Sequence, residues 1–429
     1  MCAGKERQHT ARLPYVNSHK LRLLPVSAIY GGNASGKSNF VSALAFCANY
    51  ICPGTRADVN TLFFPFLPDP DCREQPTRFC ITLLADNDKI YKYSFLIDGK
   101  RVLDERLILC DGDASKDVLL FHRTEQEDAL HGSLAKDVRM AFIRQGTQRN
   151  QLFLSNAISQ QVKYEDLSAV YNWFRHNLFV VTPKTNIHPG KLHQVLDENL
   201  CAILSGLDTG ILGFEETIIS GEHVDKEMLS TIGQMLTQKP EQLIAFPTGN
   251  TYFRLVDGEV KLIQLDPVHG TKTGERIKFS YDDESDGTLR IIDLLPMFMR
   301  LTSAGSRMVF VIDEIDRSLH TLMAQALLRS YLLSCKPESR SQLLFTTHNV
   351  LLMDQDLFRR DEIWITERSQ FGESQLLSFA EFKEVRNDKK LIRSYLQGRM
   401  GGIPNITFNG AFGDRFGALN ERPEVSDEQ

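Results

Sequence analysis

Polar and apolar positions along this chain change rhythm several times, and each change marks an expected element. The first twenty-two residues are polar and mostly basic (Lys5, Arg7, Arg12, Lys20, Arg22) without clear periodicity, which predicts a loosely packed lead-in. A short apolar run, Val26 to Tyr30, predicts a strand. After a glycine-rich turn, Asn39 to Ala48 is compatible with a helix. Beyond a Pro- and Asp-rich connection, Pro65 to Pro76, the period drops to two. Phe79, Ile81 and Leu83 alternate with more polar neighbours, as do Tyr91, Tyr93, Phe95 and Ile97. Turns at Asp86-Asn87-Asp88, Asp98-Gly99 and Asp111-Gly112 separate these runs and Val102 to Leu109, a pattern that predicts an antiparallel β-meander.

From about Tyr164 to Gln242 the spacing becomes helical, as in Leu167-Val170-Tyr171-Phe174 and Met228-Ile232-Met235-Leu236. No heptad repeat is sustained, so a long coiled coil is not expected. Strands return at Thr251 to Val256 and Val260 to Leu265, joined through Asp257-Gly258. After Thr288, expected helices Leu289–Arg300, Leu319–Ser334 and Val350–Phe358 alternate with expected strands Met308–Ile312, Leu343–Thr347 and Ile363–Thr366. That alternation predicts a parallel sheet with covering helices and a ligand site at the carboxyl ends of its strands. The expected organisation is an N-terminal lobe over 1–160, a mainly helical insertion over 161–248, a C-terminal lobe over 249–404 and a poorly ordered tail over 405–429.

The turn between the first strand and helix has the spacing G-x-x-x-x-G-K-S. Gly31, Gly32, Asn33, Ala34, Ser35, Gly36, Lys37, Ser38 and Asn39 are therefore expected to cradle nucleotide phosphates. Glycines let backbone N–H groups turn inward, Lys37 reaches the terminal phosphates, and Ser38 ligates Mg²⁺. A helix N-terminus at this point adds its own attraction for anions. Such loops serve kinases, GTPases, helicases and ABC-type machines, so other residues must discriminate.

Four features favour the last. The run Met308–Ile312 delivers Asp313 and Glu314 at a strand end: Asp313 is a candidate Mg²⁺ holder and Glu314 a candidate base for an attacking water, which suits hydrolysis. Glu284-Ser285-Asp286-Gly287-Thr288 precedes an amphipathic helix, and Ser285 and Gly287 could bind the γ-phosphate held by another subunit. An ordinary N-cap by Ser285 or Asp286 explains the segment equally well and is compatible with that role. Asp316-Arg317-Ser318-Leu319-His320 occupies the place of an interface-crossing loop, or is a helix start capped by Ser318. His348, closing Leu343–Thr347, is a candidate γ-phosphate sensor or a simple turn residue.

Composition narrows the setting. The chain has 429 residues, 42% apolar and 24% charged, as in ordinary globular proteins. A net charge of −6 gives no global pull toward nucleic acid and leaves a local basic patch open. Eight scattered cysteines without a C-x-x-C pair, and no secretory leader, predict free thiols in the cytoplasm. No run approaches the ~18 apolar residues that span a bilayer, so no membrane association is expected.

Ile312-Asp313-Glu314-Ile315-Asp316-Arg317-Ser318-Leu319-His320, Glu284–Thr288 and Ser394-Tyr395-Leu396-Gln397-Gly398-Arg399 together resemble the RloA-like ATP-binding proteins of bacteria. The resemblance extends to Ala3–His9, Leu152–Ser155 and Asp208–Ile211, and so to nearly the whole chain up to Pro404. It implies an α/β P-loop NTPase of the ABC/SMC-head type, with a parallel sheet core, an antiparallel β-meander and a helical insertion. It further implies ATP and Mg²⁺ as ligands and a homodimer or higher oligomer. Its relatives are tied to abortive infection or restriction-linked phage defence, working with a nuclease-like effector often of the TOPRIM type. A DNA-repair ATPase of the RecF or SMC kind, for which DNA is a partner, shares every head motif; a nucleotide-locked scaffold with little turnover is the other alternative. Two features depart from the pattern. Relatives usually begin with an extra strand ahead of Ala3–His9, a region that often contacts the nucleotide base in ABC-type heads, which leaves adenine-over-guanine preference open. The glutamine loop is also missing, Gln75 lying inside the Pro-rich turn.

Overall fold

The computed structural model describes residues 1–52, 64–126, 128–183, 198–219, 224–246, 250–382, 391–397 and 401–402. The expected tail over 405–429 lies outside the described residues.

Tyr15–Val16 (β1) and Leu21–Arg22 (β2) form a small hairpin that leads into Val26–Tyr30 (β3). The meander follows as Thr77–Leu84 (β4), Ile90–Ile97 (β5), Val102–Cys110 (β6), Val118–Thr124 (β7) and Asp128–Leu130 (β8), paired antiparallel in that order. Leu178–Val181 is β9. Ile211–Ile219 (β10), Ile244–Ala245 (β11), Thr251–Val256 (β12), Glu259–Gly270 (β13) and Arg276–Lys278 (β14) build a separate antiparallel sheet. The turn Asp257-Gly258 between β12 and β13 places both residues at positive φ (51° and 79°), the conformation of a two-residue hairpin turn that favours Gly. Val309–Ile312 (β15), Gln342–Thr346 (β16), Ile363–Arg368 (β17) and Ser374–Ser378 (β18) complete the set.

The central sheet runs β18-β17-β3-β16-β15-β9; all its neighbours pair parallel except β17 and β18. Strand alternation assigns its side chains to two cores. Val26, Ala28 and Tyr30 of β3, Phe310 and Ile312 of β15, and Leu343 and Phe345 of β16 face the helices Asp286–Thr302 and Thr321–Ser334. Ile29, Val311 and Leu344 face the opposite way, toward the helix Lys37–Ile51 and the meander side chains Tyr91, Tyr93 and Phe95. Burial on both faces explains why these strands read as uninterrupted apolar runs. Since β3 lies between β17 and β16, residues from both ends of the chain share one sheet.

Three expectations need correction. The lead-in is packed: Leu13 and Val16 are buried, Gly4 N–H donates to Asp361, Arg12 pairs with Glu362, and the buried Arg359 donates to the Gln8 carbonyl. Arg12 looked like solvated charge because its acidic partner, Glu362, lies 350 positions away. The 161–248 segment is more than a helical insertion. It contains the helices Glu165–Asn172, Glu198–Gly206 and Lys226–Gln238, yet β9 forms the edge of the central sheet and β10 pairs along β13. Four apolar residues, Leu178–Val181, are too few for periodicity to separate a buried strand from a helix. Finally, the helix expected at Val350–Phe358 is only a 3-10 turn, Val350–Leu352, capped by Asn349.

Candidate functional site

The glycine-rich turn leaves β3 at the carboxyl end of the central sheet and closes into the helix Lys37–Ile51, where the spacing placed it. Gly36 has φ 106°, and a Cβ there would come within 2.4 Å of Ser374 Oγ. Only glycine fits both the angle and the space. Ser35 is buried and its Oγ lies 2.5 Å from Thr366 Oγ1. Thr366 Oγ1 donates in turn to the Tyr30 carbonyl, so Ser35 is the donor of that pair. Thus the loop is braced by β17, the strand next to its own.

Lys37 is the buried cation of the loop. Its Nζ donates to the carbonyls of Gly31 (2.7 Å) and Gly32 (3.0 Å) and lies 3.4 Å from His348 Nδ1. Burial pulls its pKa down to about 8, although Asp313, Glu314 and Asp316 oppose that shift. Among the described residues its hydrogen-bond partners are neutral acceptors, which leaves the ammonium suited to receive an anion. The pKa of His348 is lowered too, first by burial and then by Lys37, which favours the neutral ring.

Asp313 and Glu314 follow β15 directly. Asp313 is buried, its N–H donates to the Val181 carbonyl, and its Oδ1 accepts from Thr346 Oγ1 at 2.5 Å. The same hydroxyl accepts the Glu314 N–H at 2.8 Å, so Thr346 ties both acids to β16. Glu314 adopts φ 49°, left-handed backbone that is uncommon for a non-glycine residue. Arg290, buried on the helix Asp286–Thr302, donates to the carbonyls of Asp313 (3.4 Å) and Glu314 (3.2 Å).

A cavity of about 610 Å³ collects Asn33 through Asn39, Glu314 and His348, and is closed by Pro65–Pro68 with Arg368, Gly372 and Ser374. Its size suits a nucleotide-sized ligand. Asp313 sits behind this lining as the largest single charge supporting the Lys37 ammonium. Ser285 and Gly287 do not line the cavity. Ser285 is exposed and caps its helix, accepting the Thr288 N–H at 3.1 Å, as the local reading predicted. Gly287 lies against the Ser318 carbonyl, which a Cβ would approach to 2.8 Å. Ser318 does not cap the next helix: the N-cap of Thr321–Ser334 is His320, and Ser318 has φ 61°. Gln75 is exposed and does not line the cavity, and neither does the Ala3–His9 segment, which packs near Gln355–Asp361 ahead of β17.

Thr346, Thr366, Ser374, Arg290 and Arg368 escaped the sequence reading. Thr346 alone carried a signal, being a polar residue two positions before His348 at the end of an expected strand.

A glycine-rich loop braced by a parallel sheet, with an acid pair on the second strand along, defines a P-loop NTPase fold. More specifically, a family described as "AAA domain, putative AbiEii toxin, Type IV TA system" matches residues 26–177 and 218–354, more than half of the chain, and the chain belongs to it. No curated protein matches. Among solved structures, the chain is similar to the SmcHead bound to the C-winged helix domain of ScpA, at 14% identity and a TM-score of 0.37, over 86% of this chain and 97% of that one. The SMC head domain from Thermotoga maritima gives 14% and 0.35, over 85% and 96%. No helix among the described residues is long and apolar enough to cross a membrane.

Proposed function

We propose that this protein hydrolyses ATP with Mg²⁺, closes as a pair of identical chains around the nucleotide, and so gates a separate effector in an anti-phage defence system. The observation that carries the reading is the single cavity in which Lys37, Glu314 and His348 meet beneath the loop. The donor set fits ATP·Mg²⁺: a buried ammonium held by loop carbonyls, a glycine that leaves the loop backbone clear, and a serine and a buried aspartate to complete a phosphate-bound cation. When bound, Mg²⁺ would neutralise charge on the terminal phosphates. Ser38 and Asp313 are the residues to hold it.

The protein's own groups then divide the work. Lys37 exchanges its loop carbonyls for phosphate oxygens. Glu314, fixed through its N–H by Thr346, accepts a proton from the attacking water. Neutral His348 donates its remaining ring N–H toward the terminal phosphate. Ser285, which is exposed, and Gly287, half-buried against the Ser318 carbonyl, both lie outside the cavity and would complete the site of a second copy, as a nucleotide-closed pair requires. Closure is favoured only by contacts to a terminal phosphate, so hydrolysis removes the bias toward the closed pair. The family description, with its toxin and its toxin–antitoxin system, supports the defence role.

Single-turnover hydrolysis by Glu314→Gln tests the chemistry. About a hundredfold loss or more, with ATP affinity retained, is expected for removal of a general base. Unchanged turnover would remove Glu314 from the mechanism.

A further inference from the structure

The cavity that holds the phosphate loop has a second wall that no motif announces. Arg368 ends β17, beyond Ile365, the last residue of that strand to pair with β3, and its exposed side chain lines the same cavity as Lys37. The two are the only lysine or arginine side chains among the lining residues. Among the described residues no carboxylate is paired with the Arg368 guanidinium.

The hairpin carrying Arg368 is fixed to the loop at several points. The Ser35 and Thr366 hydroxyls are 2.5 Å apart. A Cβ on Gly31 would fall 2.1 Å from Thr366 Oγ1, and one on Gly36 would fall 2.4 Å from Ser374 Oγ. Arg368 and Ser374 are direct partners across β17 and β18. The hairpin turn is closed by the Ser369 N–H on the Glu373 carbonyl at 2.8 Å. Within it Gly372, at φ 96°, leaves room for the guanidinium, which a Cβ would approach to 3.2 Å. Loop and hairpin therefore form one braced unit, and a charge on the second has a set position relative to the first.

We propose that Arg368 is a second polyphosphate-binding cation of this site, delivered by the β17–β18 hairpin rather than by the loop. A planar guanidinium offers paired N–H donors to phosphate oxygens. The proposal rests on the nucleotide-binding reading of the cavity and adds a residue to it.

Calorimetric titration of the full-length chain with ATP and with inorganic tripolyphosphate provides the test, comparing wild type, Arg368→Ala, Arg368→Lys and Lys37→Ala. Loss of a charge-assisted contact should weaken both ligands about tenfold to a hundredfold in Arg368→Ala, with partial recovery in Arg368→Lys. The melting temperature should stay at the wild-type value, because the side chain is exposed. Binding within about twofold of wild type would overturn the proposal, while loss in Lys37→Ala would leave the loop reading standing. Weakening of ATP without weakening of tripolyphosphate would place Arg368 on the nucleoside half and overturn it equally. A wild-type chain that binds neither ligand would overturn both this proposal and the nucleotide reading.

Discussion

One hydroxyl, on Thr346, does two jobs at the acid pair: it donates to Asp313 Oδ1 and accepts the Glu314 N–H. Thr346 is fully buried, so neither partner has water as a substitute. Thr346→Val keeps the shape and removes both bonds. Stability should fall by about 1–3 kcal/mol in urea denaturation, and hydrolysis should fall with it. Thr346→Ser, which keeps the hydroxyl, should recover most of both; an equally impaired Ser variant would mean that the methyl group matters and the hydroxyl does not. At this scale spacing encodes only what is local. Gly31–Ser38 is a local arrangement, and Asp313 and Glu314 sit at the end of an apolar run. Contacts set by sheet order were not legible, because Ser35 meets Thr366 across 331 positions.

Elements show the same division. The meander announced itself through period-two alternation and acidic turns, and its strands lie where Tyr91, Tyr93 and Phe95 predicted. β9 and β10 did not, since one is too short for a period and the other has its apolar positions interrupted by Gly213, Glu215 and Glu216. The lead-in is held by a buried charge network that no local pattern encodes: Arg12 on Glu362, Arg359 on Asp361, and Gly4 on Asp361. Burial outweighs Arg12 and raises Glu362 to about 7 from 4.5, and its Oε1 meets no donor among the described residues. The native state thus holds this proton to higher pH than the unfolded chain does. The stability it contributes is complete below about 4.5 and is lost as pH rises through 7. Chemical denaturation of wild type and Glu362→Gln should therefore show a wild-type advantage at pH 5.5 that shrinks by on the order of 1 kcal/mol or more by pH 8. A difference independent of pH would mean that Glu362 is ionised throughout.

Across the whole molecule, the loop, the acid pair and His348 converge at the carboxyl end of one sheet, whereas Ser285 and Gly287 lie outside the cavity they are proposed to serve. A second copy resolves that separation, and it makes oligomeric state depend on nucleotide. The most direct measurement is the solution mass of Glu314→Gln by light scattering, with and without ATP·Mg²⁺, beside the double variant Glu314→Gln/Ser285→Arg. The account predicts the 48.7 kDa chain mass without nucleotide and twice that mass with it. The double variant should bind ATP and stay single. A Glu314→Gln protein that binds ATP and remains at one chain mass would contradict the account, as would a double variant that pairs just as well.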